Sequence, residues 1–241
     1  MSENKVALIT GASRGLGAVL AALLAGQGYD LILTARGTDD LRAVKTRLAG
    51  YGGAVQVIAG DVNDPAHRAA LIAAAVRFGG LDILINNASD LGVTPLPALA
   101  DYSLDALRHL YETNVIAPLA LAQLALPSLR ARAGLIVNIS SDAARGGYPR
   151  WGGYGATKAA LDLVTLTLAN EADDYAAVSV DPGDMRTVMH QAAFPDEDIS
   201  DRPLPDVTIP FWAWLFGQPR AAINGGRYQA QAEQWQPIKS V

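Results

Sequence analysis

From Lys5 to Asp181, short and almost unbroken apolar runs alternate with longer stretches of helical periodicity. A run that is apolar on every residue fits a strand buried on both faces. Such strands, separated by helices, form a parallel sheet covered on each side. Strands are expected at Lys5–Thr10, Leu31–Ala35, Ala54–Ala59, Leu81–Asn86, Leu135–Ser140 and Ala177–Asp181. Helices are expected over Gly15–Gln27, stopped by Gly28, then over Thr38–Ala49, Pro65–Phe78 and Gly153–Asn170. A long helical region covers Leu104–Arg130, and Pro118 and Pro127 are expected to bend or divide it. The crossovers must be right-handed, and a ligand then lies outside the carboxyl ends of the strands.

The expectation is one Rossmann-like, doubly wound α/β/α domain over residues 1–241, with no repeat or linker to divide it. The alternation dissolves over Val188–Val207 into Pro, Asp and aromatic residues. That segment reads as a substrate flap or as plain surface loop. A helix is expected around Val207–Phe216, with Pro210 as an alternative start, and Arg227–Gln229 reads as an edge strand.

Composition removes several classes of function. The net charge of -5 and pI near 5.1 offer no basic footprint for nucleic acid or an anionic membrane. With no cysteine, disulfides, thiolate catalysis and zinc–sulfur sites are excluded, which suits a reducing, cytoplasmic setting. The three histidines, His67, His109 and His190, stand in separate segments and form no H-x-x-x-H pair, so no metal site is expected. Met1–Val6 is polar and runs into the first strand, leaving no room for a signal peptide. No apolar stretch reaches the length of a spanning helix.

The candidate cofactor cradle is Thr10-Gly11-Ala12-Ser13-Arg14-Gly15-Leu16-Gly17, between the first strand and first helix. Gly11 permits a tight turn, Gly15 removes a Cβ where a pyrophosphate must approach, and Gly17 lets the helix pack on the sheet. Ser13 and Leu16 complete the turn, and the helix N-terminus offers free N–H groups to phosphates. A site for NAD usually places a carboxylate at the end of the second strand. Here that end reads Leu33-Thr34-Ala35-Arg36. Arg36 can fork onto a 2′-phosphate and Arg14 can meet it from the other side, which points to NADP(H). Two merely solvated arginines are the alternative. Asp61, with Val62 beside it, follows the third strand and could accept from an adenine amino group. Asn86-Asn87-Ala88 ends the fourth strand, and Asn87 fits a structural role as well as cofactor contact.

Tyr154-x-x-x-Lys158 lies in an Ala-rich helix, so the i,i+4 spacing puts both residues on one face. A free phenol is a poor base at neutral pH. A nearby ammonium and a cationic nicotinamide favour its phenolate. Ser141 closes the fifth strand and could hold a substrate oxygen beside Tyr154. Asn114, in the helical region after the fourth strand, could anchor a water that links Lys158 to solvent, or do nothing catalytic.

These residues together resemble the short-chain dehydrogenase/reductase family, over about Lys5–Thr187. The resemblance rests on Thr10–Gly17, Asn86-Asn87-Ala88, Asn114, Ser141, Tyr154-Gly155-Ala156-Thr157-Lys158 and Pro182-Gly183-Asp184-Met185-Arg186-Thr187. It implies an Asn–Ser–Tyr–Lys tetrad of Asn114, Ser141, Tyr154 and Lys158. The family's serine stands thirteen residues before the tyrosine, which selects Ser141 over Ser140. Pro182, Gly183 and Thr187 then look like the segment along the nicotinamide. Two departures stand out: Ser89 where the family usually has Gly, and an unfamiliar ending over Asn224–Val241.

The resemblance implies an NADP(H)-dependent oxidoreductase acting on a carbonyl/alcohol pair, as a homodimer or homotetramer. A cofactor-binding regulatory scaffold, or an isomerase, epimerase or dehalogenase-type enzyme that retains the cofactor, are the competing readings. Leu91, Gly92, Trp151, Met189, His190 and Phe194 form the expected substrate wall. A hydrophobic or aromatic carbonyl compound suits it, and sugars, steroids and fatty-acyl intermediates stay open.

Overall fold

The computed structural model describes residues 4–237. Residues 1–3 of the polar start and 238–241 of the divergent ending lie outside the described residues. The apolar runs become β1 (Val6–Thr10), β2 (Asp30–Ala35), β3 (Val55–Ala59), β4 (Ile83–Asn86), β5 (Leu135–Ile139) and β6 (Ala176–Asp181). The short run Arg227–Gln229 forms β7, as its sequence suggested. The seven strands make one sheet in the order β3-β2-β1-β4-β5-β6-β7, every pairing parallel. The order reverses between β1 and β4, and the crevice that this opens at the carboxyl ends is where an α/β sheet places its ligand.

Side chains alternate along each strand and so feed two cores. Ala7 and Ile9 of β1 join Leu20 and Leu24 of α1 (Gly15–Gly26), Leu41 of α2 (Thr38–Arg47) and Phe211 of a later helix. Val6 and Leu8 point the other way, toward Leu71 of α3 (Pro65–Arg77) and toward Leu121 and Leu129 of a helix that follows β4. Helices on both faces are therefore a direct consequence of strands apolar at every position.

The region Leu104–Arg130 corrects one expectation. It is divided, and not by a kink at either proline. α4 (Leu104–Tyr111) gives way to a wide π turn over Glu112–Ile116, and α5 (Ala117–Ala131) follows. Pro118 explains this from one turn away. Its ring crowds the carbonyl of Asn114, four residues earlier, and it has no N–H to give that carbonyl. The helix absorbs the mismatch by widening around Asn114. Pro127 stays inside α5 without breaking it.

After β5 come the short α6 (Ala143–Gly146) and the long α7 (Gly152–Asn170). The segment after β6 is more ordered than its sequence suggested: it carries α8 (Val188–Ala193) and a 3₁₀ turn at Pro205–Thr208 before α9 (Ile209–Gly217). α10 (Arg220–Ile223) then leads into β7. Phe211 of α9 has ring centroids of Trp212, Trp214, Tyr228 and Trp235 within 6.0 Å, so aromatic packing ties the divergent ending to the sheet. Among the described residues, no helix is long and apolar enough to cross a membrane, and no cluster of three potential ligands could hold a metal.

Candidate active site

A cleft of about 1300 Å³ runs along the carboxyl ends of the strands. One end is lined by Gly11, Ser13, Arg14, Gly15, Leu16, Arg36, Asp61, Val62, Asn87 and Ala88. The other is lined by Ser141, Tyr154, Lys158, Pro182, Gly183 and Thr187. Of the residues singled out from the sequence, Gly17 and Asn114 stand behind this lining.

The glycine turn is shaped for close approach. A Cβ on Gly17 would sit 2.3 Å from the Gly11 carbonyl oxygen, and Gly11 itself has φ +64°. Neither position accepts a side chain without moving backbone. Thr10 locks the turn to the next strand end, its hydroxyl accepting from the amides of Asn87 (3.0 Å) and Ala88 (2.9 Å). The Asn87 amide nitrogen donates to the carbonyls of Thr10 (2.9 Å) and Gly11 (3.1 Å). Its amide is thus committed to shaping the cradle, the structural half of the expectation.

Arg14 and Arg36 are exposed at the rim of the same end, with Asp40 of α2 also on the lining. Nothing acidic ends β2. Asp61 accepts from the Asn63 amide at 2.9 Å, which fixes its loop. Below that loop, His67 hydrogen-bonds the buried Thr34 hydroxyl at 2.7 Å and its ring fills the space beside Gly60. Burial holds the His67 imidazole below its ordinary pKa, against the pull of Asp64 and Asp61.

At the reacting end, α7 presents Tyr154 and Lys158 one turn apart, both buried. The Lys158 Nζ lies 5.5 Å from the centroid of the Tyr154 ring and donates to the Ile139 carbonyl at 2.8 Å. Burial lowers Lys158 to a pKa of about 8, and Asp162 opposes the fall. Burial pushes the Tyr154 phenol well above the ordinary tyrosine value. The neighbouring Ser89 and Ser141 hydroxyls favour the phenolate, and the charges of Asp181 and Asp142 oppose it. Ser141 bonds the Asp142 carboxylate at 3.0 Å. Trp151 stands edge-on to Tyr154 at 5.8 Å, with Phe194 and His190 stacked beyond it as an aromatic wall.

Asn114 is buried, and its amide is fully engaged. Nδ2 donates to the Asp90 carbonyl (2.9 Å) and the Thr157 hydroxyl (3.0 Å). Oδ1 accepts from the Asp90 amide (2.9 Å) and the Ser89 hydroxyl (3.1 Å). The side chain therefore ties the loop after β4 to α7 and has no donor left for a water. Thr187 caps α8, its hydroxyl accepting from the His190 amide at 3.1 Å. Gln231 of the divergent ending donates to the carbonyls of Pro182 and Asp184, both at 3.0 Å, and so holds the Pro182-Gly183 turn.

Thr10 and Thr157 stood in the quoted motifs without a role, and sequence reasoning missed altogether both Gln231 and Ser89 as a partner of Tyr154. The role of Thr10 could have been found, as a polar residue ending an apolar strand beside the glycine turn. The others depend on chain segments that meet only in the fold.

Residues 5–198 match the short chain dehydrogenase family. The chain is similar to the L-xylo-3-hexulose reductase of Hypocrea jecorina, with 37% identity over 217 residues, 80% of this chain and 70% of the relative. Among solved structures, a short chain dehydrogenase from Pseudomonas syringae aligns with a TM-score of 0.88 at 32% identity, covering 94% of each chain. A short chain dehydrogenase from Shigella flexneri complexed with NADP aligns at 0.87 and 30% identity, covering 95% of this chain and 97% of the other.

Proposed function

The chain belongs to the short chain dehydrogenase family, and from that premise we propose that Tyr154 is the group that exchanges a proton with the substrate oxygen. The protein is an NADP(H)-dependent oxidoreductase acting on carbonyl/alcohol substrates. The observation that carries the site reading is the convergence of Tyr154, Lys158 and Ser141 at the end of the cleft opposite the glycine turn.

The residues fit the dinucleotide. The bare backbone at Gly11 and Gly15 on the cleft lining admits a pyrophosphate, and Arg14 and Arg36 offer guanidinium groups at the rim for a 2′-phosphate. When bound, the nicotinamide supplies or accepts the hydride. Tyr154 then gives its phenolic proton to the carbonyl oxygen in reduction and takes it back in oxidation. Ser141 donates to the same oxygen and orients it. Lys158, with its Nζ 5.5 Å from the ring centroid, supplies positive charge that favours the phenolate as the proton leaves. The Asn114 side-chain amide positions the loop Ser89–Asp90, and so acts on the site through that loop and α7.

Trp151 and Phe194 favour substrates with an apolar or ring-shaped flank. The segment 188–207 acts as the flap over that flank. Pairing across a two-fold axis is supported by the apolar side chains that α4, α5 and α7 leave in water. Leu104 and Leu163 are each 65% exposed, and Ile116 and Leu124 nearly half.

Tyr154→Phe keeps the ring and removes the proton. It is expected to fold, to bind NADPH with near-native affinity and to lose at least ~100-fold in turnover. Turnover near the wild-type rate would exclude Tyr154 as the acid–base.

A further inference from the structure

β7 is a three-residue edge strand, yet it opens on a buried arginine whose side chain is only 8% exposed. The Arg227 Nε donates to Asp162 Oδ2 at 2.8 Å. Its Nη2 donates to the main-chain oxygen of Ser141 at 2.8 Å and lies 3.9 Å from Asp181 Oδ2. These partners come from the three elements that carry the reacting end. Asp162 stands one turn after Lys158 on α7, Ser141 ends the β5 edge, and Asp181 closes β6 just before Pro182-Gly183. A guanidinium is costly to bury unless its charge is paired and its N–H groups are bonded. Strand pairing alone gives β7 no need of one.

We propose that Arg227 is a positioning residue for the hydride-transfer centre, holding Ser141 by its main chain and cancelling two carboxylates behind Tyr154 and Lys158. The inference rests on the reading of Tyr154 as the acid–base. The charges facing Tyr154 are Lys158 on its own helix, Asp142 after β5 and Asp181 at the end of β6. Asp90 after β4 and Asp184, Arg186 and His190 beyond β6 line the same cleft. Counting the groups around the pair, Lys158 and Arg227 balance Asp162 and Asp181. Asp181 is one of the groups that raise the phenol, and Arg227 in turn draws the Asp181 carboxyl down against its burial. Without Arg227 the pair sits in a more negative field and holds its proton to higher pH. Without the Asp181 charge it releases the proton at lower pH.

The test is the pH dependence of kcat/KM for oxidation of a secondary alcohol with NADP⁺, a direction that needs the phenolate. An opposite charge within about 4–6 Å moves a titration by about 1–3 units. Arg227 acts from behind its partners, so Arg227→Gln is expected to move the rising limb alkaline by roughly half a unit to one unit. Asp181→Asn, which keeps the oxygen that accepts from the Gly183 amide, is expected to move it the other way. The double variant is expected to return it near the wild-type position, and Arg227→Lys to leave it in place while lowering kcat/KM through a looser Ser141. If Arg227→Gln does not fold, the acid shift of Asp181→Asn and the unmoved limb of Arg227→Lys still decide the matter.

Arg227→Gln and Asp181→Asn proteins that leave the limb unmoved while losing only thermal stability, or a double variant that does not restore it, would overturn the proposal. The two readings separate cleanly. A dead Tyr154→Phe with an unmoved limb in these variants sinks Arg227 alone, whereas an active Tyr154→Phe sinks the acid–base itself.

Discussion

Tyr154 is a buried phenol whose nearest helpers are hydroxyls. Ser89 donates to Asn114 Oδ1 and also neighbours the Tyr154 side chain, so its rotor can turn toward the phenolate as the proton leaves. Asn114 Oδ1 keeps the Asp90 amide when that happens. Ser89→Gly removes one donor to the phenolate, a hydrogen bond of about 1–1.5 kcal/mol. Alcohol oxidation near neutral pH is expected to slow about 5- to 10-fold, with NADPH affinity unchanged by fluorescence titration. An unaltered rate would remove Ser89 from the chemistry. At the other end, Arg36 is expected to carry the choice of cofactor. A charge-assisted bond of about 1.5–3 kcal/mol gives at least about tenfold higher kcat/KM with NADPH than NADH, and Arg36→Ala is expected to erase most of it. Equal values for the two cofactors in the wild-type protein would refute that role. That Ser141, Tyr154, Lys158, Arg14 and Arg36 share one cleft was legible because they stand at strand ends, in the glycine turn or on one helix face, whereas Asn114 rested on the family resemblance. Ser89 looked like a departure only, because its partner Asn114 is 25 residues away and its partner Tyr154 lies on another helix.

Local pattern was weakest where elements constrain each other. The alternation from Lys5 to Asp181 located six strands, because a strand buried on both faces has no polar positions to blur it. The break at Glu112–Ile116 was misplaced because a proline acts on the carbonyl four residues before it, so the disturbance lies upstream of the visible residue. α6 and α8, at four and six residues, are too short to show a helical period at all. The contact between β2 and α3 carries a pH dependence. His67 has a lowered pKa in the folded protein, chiefly through burial, while the unfolded chain holds it near 6.5. A depressed folded value favours the native state above the unfolded pKa. That contribution fades as pH falls through the folded value. The urea midpoint is therefore expected to drop on going from about pH 7.5 to pH 5.5, and His67→Gln to flatten part of the drop. An identical slope in the variant would assign the acid sensitivity elsewhere.

At the scale of the whole molecule, Leu104, Ile116, Leu124 and Leu163 leave apolar side chains in solvent on α4, the π turn, α5 and α7. Ala159 and Leu163 stand four apart on α7, both in solvent, beside the exposed Ile116 and Leu124 of the neighbouring chain segment. Leu163→Glu is expected to shift a dimer or tetramer toward monomer by light scattering at micromolar concentration. A wild-type protein that is already monomeric would contradict this pairing. The two cores have a further consequence. No residue from Val188 to Leu204 belongs to either apolar cluster that grips the sheet, although Met189, His190, Phe194 and Leu204 all face the cleft. This stretch leaves the scaffold after Thr187 and rejoins it at the 3₁₀ turn before α9, like a cartridge clipped between two fixed posts. On the reading of this stretch as a substrate flap, it lies outside the two cores under the dinucleotide cradle and meets the reacting end through the Ala193 and Phe194 contacts near Tyr154 and Trp151. A chimera that borrows this stretch from a relative is expected to take on the relative's substrate preference and keep its own coenzyme, which a comparison of kcat/KM across substrates and cofactors would check.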